Sequence, residues 1–227
     1  MKANFSISSP CRCLHKIFLL SLLTVAAGST VMAQTVKYNL SQMQSRGELK
    51  GENRSVQALP DKNAVRVSGA DGYGVAWLKN VKFSGGTIEV DVRGKDIKQG
   101  SFVGIAFHGT SMNKCEAIYF RPFNFLASDS AQKTHMVQYV FESEYEWDRL
   151  RKEHPGVYEK QILLPPDPNE WFHVKIEVKE KWIKVYVNQS AKACLEVKSL
   201  NPVSDGGLGL WVGHTSEGDF ADLRVRP

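Results

Sequence analysis

The feature that most constrains the fold is a two-residue alternation of apolar and polar side chains. The segment TIEVDVR at 87–93 places isoleucine and valine at every second position, with charged residues between them. FHVKIEVK at 172–179 repeats this pattern, and WIKVYVN at 182–188 follows after a short turn. A period of two puts one side of a strand in a core and the other in water. These segments therefore predict half-buried strands, and the last two form a hairpin.

Other short apolar runs are separated by clusters of Gly, Pro, Asn and Asp, which favour turns. Three central runs are SFVGIAFHG, KCEAIYFRPFNF and HMVQYVFE, between residues 101 and 142. Further runs lie near 65–67, 74–78, 208–212 and 221–225. Many short antiparallel strands are typical of a sandwich or a jelly roll. The predicted fold class is all-β.

The first 33 residues have the three-part pattern of a secretory signal peptide. Three basic residues precede an apolar run at 17–27, and a Val-Met-Ala cleavage site ends at Ala33. The apolar run is shorter than the roughly 20 residues that a membrane-spanning helix needs. We therefore expect no membrane insertion and a mature chain that begins at Gln34. Its expected location is the periplasm or the cell exterior.

The remainder, residues 34–227, is long enough for one substantial core and short for two, which predicts a single domain. The leader holds three of the 29 Lys and Arg residues and none of the 24 Asp and Glu residues, so its removal lowers the net charge from +5 to +2. The remaining charges are interspersed, which argues against a nucleic-acid partner. Cys115 and Cys194 form either one disulfide or two buried thiols, and the sequence leaves both possibilities open.

One short helix is predicted after the central strands. Ser143 is placed to cap it, and Glu146 three residues later would complete a capping box. Basic residues follow in the last turn, and Pro-Gly ends the helical pattern at 155–156. Trp147 and Leu150 share one helical face. We therefore expect Trp147 to pack down first and to serve second as a stacking platform for a ligand.

The order of several motifs resembles secreted bacterial concanavalin A-like sandwich domains. The motifs are YFRPFNF, HMVQYV, EYEWDRLRKEHPGVYEK, PDPNEWFHVKIEV, KVYVN and the closing GLGLWVGHTSEGDFADLRV. More narrowly, the chain from about Gly51 onward is similar to the domain family named for 3-keto-disaccharide hydrolases. The resemblance implies a jelly-roll β-sandwich and sugar-related chemistry, and it carries over no agreed catalytic set.

A groove is predicted on the central strands. Gly104 and Ala106 leave room on one side of the first central strand, and His108 follows on the same side at the rim. The unperturbed pKa of a histidine suits proton transfer near neutral pH, which makes His108 a candidate base.

The next two strands supply the other candidate groups. Tyr119 and Arg121 share one side of the second strand, and Glu116 lies on the other. The sequence does not decide which side meets the groove, and we favour Tyr119 and Arg121. Arg121 offers a fork of donors for sugar hydroxyls or a carboxylate, although an internal ion pair would explain it as well. Gln138 falls opposite an apolar set, so its amide is expected in the groove.

Two classes of function follow from these groups. A non-catalytic carbohydrate-binding or cell-surface module would use Tyr119, Gln138 and Trp147 to hold a glycan. An enzyme that cleaves 3-keto-glycosides would use Glu116 or His108 as its base and Arg121 as the electrostatic partner. A structural sandwich without a small ligand is a third possibility. The histidines are scattered, without the close pairs of a zinc site, so we expect no metal and no cofactor.

Overall fold

Two antiparallel sheets form the fold of this computed structural model, which describes residues 1–4 and 34–227. Residues 5–33, which hold the apolar run and the cleavage site of the predicted signal peptide, lie outside the described residues. Residues 34–227 form one compact unit. No helix in the described part is both long and apolar enough to cross a membrane.

The strands are short and follow one another closely. In chain order they are β1 (Val36–Tyr38), β2 (Leu49–Glu52), β3 (Val56–Ala58), β4 (Val65–Val67), β5 (Gly74–Phe83), β6 (Gly86–Arg93), β7 (Val103–Ser111), β8 (Lys114–Phe120), β9 (Val137–Glu142), β10 (Glu159–Lys160), β11 (Phe172–Lys179), β12 (Trp182–Val187), β13 (Leu195–Lys198), β14 (Gly206–Val212) and β15 (Gly218–Arg226). Sheet A has the order β13-β12-β11-β6-β15-β4-β3, with β1 also beside β15. Sheet B has the order β10-β9-β8-β7-β14-β5-β2. The predicted all-β jelly-roll sandwich is confirmed.

Sheet A shows why the two-residue alternation is so clear in the sequence. Ile88, Ile176 and Val185 lie side by side on β6, β11 and β12, and all three are fully buried. The charged residues between these positions point away from sheet B and are half-buried. One side of sheet A therefore contributes to the core, and the other faces solvent.

Sheet B is buried on both sides at its centre. Every residue of β9 is buried, as is every residue of β8 after Lys114. One side packs against sheet A, and loops together with a helix cover parts of the other. A strand that is covered on both sides needs no polar alternation, which explains the weaker pattern in the three central runs.

The helices are short. They are α1 (Leu40–Ser45), α2 (Ser130–Lys133) and α3 (Trp147–Glu153), with a 3-10 turn at Pro122–Asn124. α3 is the helix that the sequence predicted, and the others are additional. Asn39 caps α1, because its side-chain oxygen accepts a hydrogen bond from the backbone of Gln42 at 3.0 Å.

The predicted start of α3 at Ser143 is wrong. Tyr145 and Phe141 exchange backbone hydrogen bonds of 2.7 and 3.2 Å, which hold the intervening residues in a turn. Ser143 is exposed within this turn, and the helix begins only at Trp147, with Glu146 as an N-cap that makes no side-chain hydrogen bond. The expected packing of Trp147 is also wrong, because its side chain is 47 % exposed whereas Leu150 is buried.

Candidate functional site

A groove of about 780 Å³ opens on the side of sheet B that faces away from sheet A. Strands β8, β9 and β14 form its floor, and its walls are α3 and the segments around 72–73, 96–102, 121–135 and 213–214. Its volume lies within the range of small-molecule sites. Its lining side chains include Tyr73, Phe102, Tyr119, Arg121, His135, Glu142, Glu146, Trp147, Arg151 and Trp211.

The strand register brings the floor residues into one row. Trp211, Gly104, Tyr119 and Gln138 are neighbours across β14, β7, β8 and β9. Because Gly104 has no side chain, the rings of Trp211 and Tyr119 stack over it with their centroids 4.7 Å apart and a 22° angle between their planes. A Cβ atom at position 104 would lie 2.7 Å from the Cβ of Tyr119, so only glycine fits. Gly104, which was predicted to leave room on this side of the strand, makes space for the two stacked rings.

The aromatic row continues beyond these two rings. Tyr73 also stacks with Trp211, with a centroid distance of 6.2 Å and a 19° angle between the ring planes. Phe102 meets Tyr119 edge to face at 6.1 Å. Trp211 and Tyr119 are nearly buried, and within the described residues the indole nitrogen of Trp211 has no hydrogen-bond partner. The row thus forms an apolar floor with an unused donor.

Arg121 forms hydrogen bonds with two of the predicted ligand-binding residues, Tyr119 and Gln138. Its guanidinium donates to the Tyr119 hydroxyl at 2.8 Å, to the Gln138 side-chain oxygen at 3.2 Å and to the backbone oxygen of His135 at 3.1 Å. Gln138 in turn donates to the backbone oxygens of Tyr139 and Tyr158. Gln138 is buried and does not line the groove, which corrects the expectation for its amide, because its polar atoms are taken up by Arg121 and the backbone. Arg121 and Tyr119 do line the groove.

Glu159 on β10 anchors the wall beside Arg121, and no pattern in the sequence had pointed to it. Arg151 of α3 donates to both of its carboxylate oxygens, at 2.9 and 2.7 Å, and His135 Nδ1 lies 2.7 Å from one of them. Burial raises the pKa of Glu159, but the hydrogen bonds and charge of Arg151, with the nearby His135 and Arg121, outweigh burial and hold that pKa below its ordinary value. These contacts fix α3, and with it Trp147, against the sheet.

Glu142 is the acidic group in the groove that the sequence analysis missed. It ends β9 on the same side as Gln138, is 4 % exposed, and lines the groove together with Glu146. Among the described residues, none donates a hydrogen bond to its carboxyl group. Burial, reinforced by the negative charge of Glu146, raises the pKa of Glu142 to about 8. The residue could have been found by extending the alternation from Gln138 by four positions.

The structure places His108 and Glu116 in the core and not in the groove, which corrects the expectation that either could act beside Arg121. A register shift follows Phe107 on β7, and His108 adopts a positive φ of 50°. This bulge turns the imidazole toward sheet A, where its Nδ1 lies 2.6 Å from a carboxylate oxygen of Glu116. Tyr139 donates to the other oxygen at 2.7 Å. Glu116 thus binds buried polar groups inside the sandwich.

Metal ligands do not gather in the described part of the chain, where no three His, Cys, Asp or Glu side chains lie close enough to hold an ion. Both cysteines of that part are free thiols. Of the two possibilities that the sequence left open, the structure therefore has the pair of thiols.

No family model matches the chain, and none of the curated proteins matches it either. The narrower resemblance to 3-keto-disaccharide hydrolases therefore stays a prediction.

Solved structures share the fold at low sequence identity. The carbohydrate binding module CBM66 from Bacillus subtilis is 15 % identical with a TM-score of 0.57, over 78 % of this chain and 95 % of that one. A Bacillus subtilis protein of unknown function with a galectin-like fold is 13 % identical with a TM-score of 0.55, over 85 % and 96 %. A native glycosidic hydrolase is 16 % identical with a TM-score of 0.54, over 88 % and 98 %. These likenesses show a galectin-like sandwich.

Proposed function

We propose that this chain is a carbohydrate-related domain that binds a glycan in the groove on sheet B. The observation that carries the proposal is the row of stacked rings formed by Tyr73, Trp211 and Tyr119 on the groove floor. The edges of these rings, together with the 47 % exposed side chain of Trp147, offer an apolar surface for the C–H groups of a sugar, and a few convergent polar groups suit its hydroxyls. Arg121 supplies donors beside the row.

The comparisons support the same class of ligand through the fold. One similar structure is named as a carbohydrate binding module and another as a glycosidic hydrolase. Both kinds of protein handle sugars, with and without cleavage, so the fold is compatible with either role. The leader pattern adds the proposal that the domain is exported and meets its glycan outside the cytoplasm.

Within this proposal, the finer candidate is an enzyme acting on 3-keto-glycosides, with Arg121 as the electrostatic partner. The observation that favours an enzyme is Glu142, a buried carboxyl group in the groove whose pKa is raised to about 8. The alternative is a non-catalytic binding module that uses the same floor. Incubating one preparation with 3-keto-glucosides and measuring sugar release separates the two roles.

Trp147 offers the most direct binding test, because it lines the groove and yet is 47 % exposed. Trp182 is a matched control, since it is 50 % exposed on sheet A, away from the groove. A glycan array on the wild type selects a ligand, and calorimetry then compares the variants. We expect Trp147→Ala to weaken binding about 5-fold, as a stacking contact is typically worth about 1 kcal/mol. Trp182→Ala should bind like the wild type.

Two results would count against glycan binding in this groove. One is a wild-type protein that binds no glycan on the array. The other is an equal loss of affinity in both tryptophan variants, which would point to a general effect on the fold.

A further inference from the structure

Glu142 differs from the other buried acidic side chains of the described chain in having no partner. Glu116 contacts His108 and Tyr139, Glu159 binds Arg151, and Asp219 accepts hydrogen bonds from two arginines on sheet A. Glu142 is buried to the same degree, yet no described residue donates to its carboxyl group. Burying a carboxylate without a partner is costly, so such a group is retained in protonated form or for a function.

The surroundings of Glu142 place this carboxyl group where a ligand would bind. It lines the groove of about 780 Å³ beside the aromatic floor, and Glu146 lines the same groove. Glu142 lies on the same side of β9 as Gln138, and Gln138 is the register partner of Tyr119 in the ring row. Its carboxyl group therefore lies in the same groove as the proposed binding surface for a sugar.

Glu142 and Glu146 have different environments although they share one groove. Glu142 is 4 % exposed at the end of β9, whereas Glu146 is half-buried at the start of α3. Two carboxyl groups with different environments can take opposite roles, one as the acid and the other as the base. A protonated carboxyl group and a carboxylate in one groove are the two groups that acid–base cleavage of a glycosidic bond uses.

We propose that Glu142 is the general acid and Glu146 the general base of a glycoside hydrolase site in this groove. The inference rests on the proposed binding of a glycan there. Glu142 gives its proton to the glycosidic oxygen as the bond from that oxygen to the anomeric carbon breaks. A water molecule attacks the anomeric carbon and gives a proton to Glu146. The products are a free sugar and an alcohol, and proton exchange with solvent restores both carboxyl groups.

The test compares leaving groups, because an acid matters only when the departing oxygen needs a proton. The probes are dinitrophenyl and methyl glycosides of the common hexoses in both anomers, together with their 3-keto forms. With methyl glycosides, Glu142→Gln should lower kcat/KM by at least about 100-fold, the usual contribution of a general acid. With dinitrophenyl glycosides the change should be within about 10-fold, since a dinitrophenolate leaves without protonation.

Glu144→Gln is the matched control, because Glu144 lies in the same turn, is exposed and does not line the groove. It should behave like the wild type with every probe. Glycan affinity and the circular-dichroism spectrum of Glu142→Gln should be unchanged. If that variant does not fold, Glu142→Asp, which keeps the acid but withdraws it from the groove, enters the same comparison.

The outcomes separate this inference from the proposal on which it rests. A wild type that binds glycans but cleaves no probe overturns the catalytic roles and leaves the binding proposal standing. A wild type that binds nothing overturns both. Equal losses with both leaving groups show that Glu142 positions other groups and donates no proton.

Discussion

The partners of a buried carboxyl group determine whether it is ionised, as a comparison of Asp219 with Glu142 shows. For Asp219, burial raises the pKa, but hydrogen bonds from Arg66 and Arg93 outweigh burial and hold its pKa below the ordinary value. Glu142 is similarly buried and has Glu146 as its charged neighbour, so its pKa moves in the opposite direction. Asp219 is therefore an ionised brace between strands, and Glu142 is a proton carrier at neutral pH.

The raised pKa of Glu142 predicts a dependence of stability on pH. The pKa is about 8 in the folded protein against an ordinary value of 4.5. Its contribution to stability is therefore fully present below pH 4.5 and is lost as the pH rises toward 8. Each pKa unit corresponds to about 1.4 kcal/mol. Glu142→Gln cannot ionise, so its free energy of unfolding should exceed that of the wild type increasingly across this range.

Urea unfolding at several pH values between about 5 and about 8 measures this difference. Glu144→Gln serves as the control and should follow the wild type, because its side chain is exposed. If the free energy of unfolding depends on pH in the same way for Glu142→Gln and the wild type, Glu142 ionises in the folded state at no cost to stability.

At the level of helices, the corrected start of α3 leads to a paired prediction about caps. Ser143 is exposed and lies four residues before the first helical residue, so Ser143→Ala should change stability by less than about 0.5 kcal/mol. Asn39 does cap α1 through its side chain, so Asn39→Ala should cost about 0.5 to 2 kcal/mol. Thermal unfolding of the two variants beside the wild type checks both values. A larger loss for Ser143→Ala than for Asn39→Ala would contradict this assignment of caps.

The sequence predicted the positions of the strands better than it predicted the bulge in β7 and the turn after β9. The alternation along β6, β11 and β12 follows from burial on one side, which depends only on the local sequence. The bulge at His108 depends on pairing with neighbouring strands, so the sequence of β7 alone did not reveal that the imidazole turns inward. The capping pattern at Ser143 failed for a similar reason, because backbone pairing between Phe141 and Tyr145 competes with helix formation there.

The candidate site could be predicted only in part. Gly104, Tyr119 and Arg121 lie on one side of adjacent strands, as alternation indicated. Trp211 joins them from β14, about 90 residues later in the chain, and only the strand order of sheet B makes it their neighbour. The walls likewise come from distant loops, so no spacing in the sequence could have assembled the groove.

The two sheets of the whole molecule also keep its two described cysteines apart. Cys115 lies on β8 in sheet B and shares the groove side of that strand with Tyr119. Cys194 precedes β13 at the edge of sheet A. Each thiol donates to a backbone oxygen, of Met112 at 3.4 Å and of Val185 at 3.3 Å, respectively. The thiols therefore point into separate environments, and a disulfide would need backbone movement.

Burial also makes these thiols unreactive in the folded protein. It raises the pKa of Cys194 to about 12 and that of Cys115 further still, with nearby carboxylates adding to the effect at Cys115. Because the thiolate is the reactive form, both cysteines should resist alkylation and oxidation near neutral pH.

We predict that the chain from Gln34 onward keeps two free thiols in an oxidising buffer, with a melting temperature that does not change on addition of reductant. Intact-mass measurement after alkylation, with and without denaturant, tests this: two labels should appear only in denaturant. A mass lower by about 2 Da without reductant, or a melting temperature that falls on reduction, would instead show a disulfide.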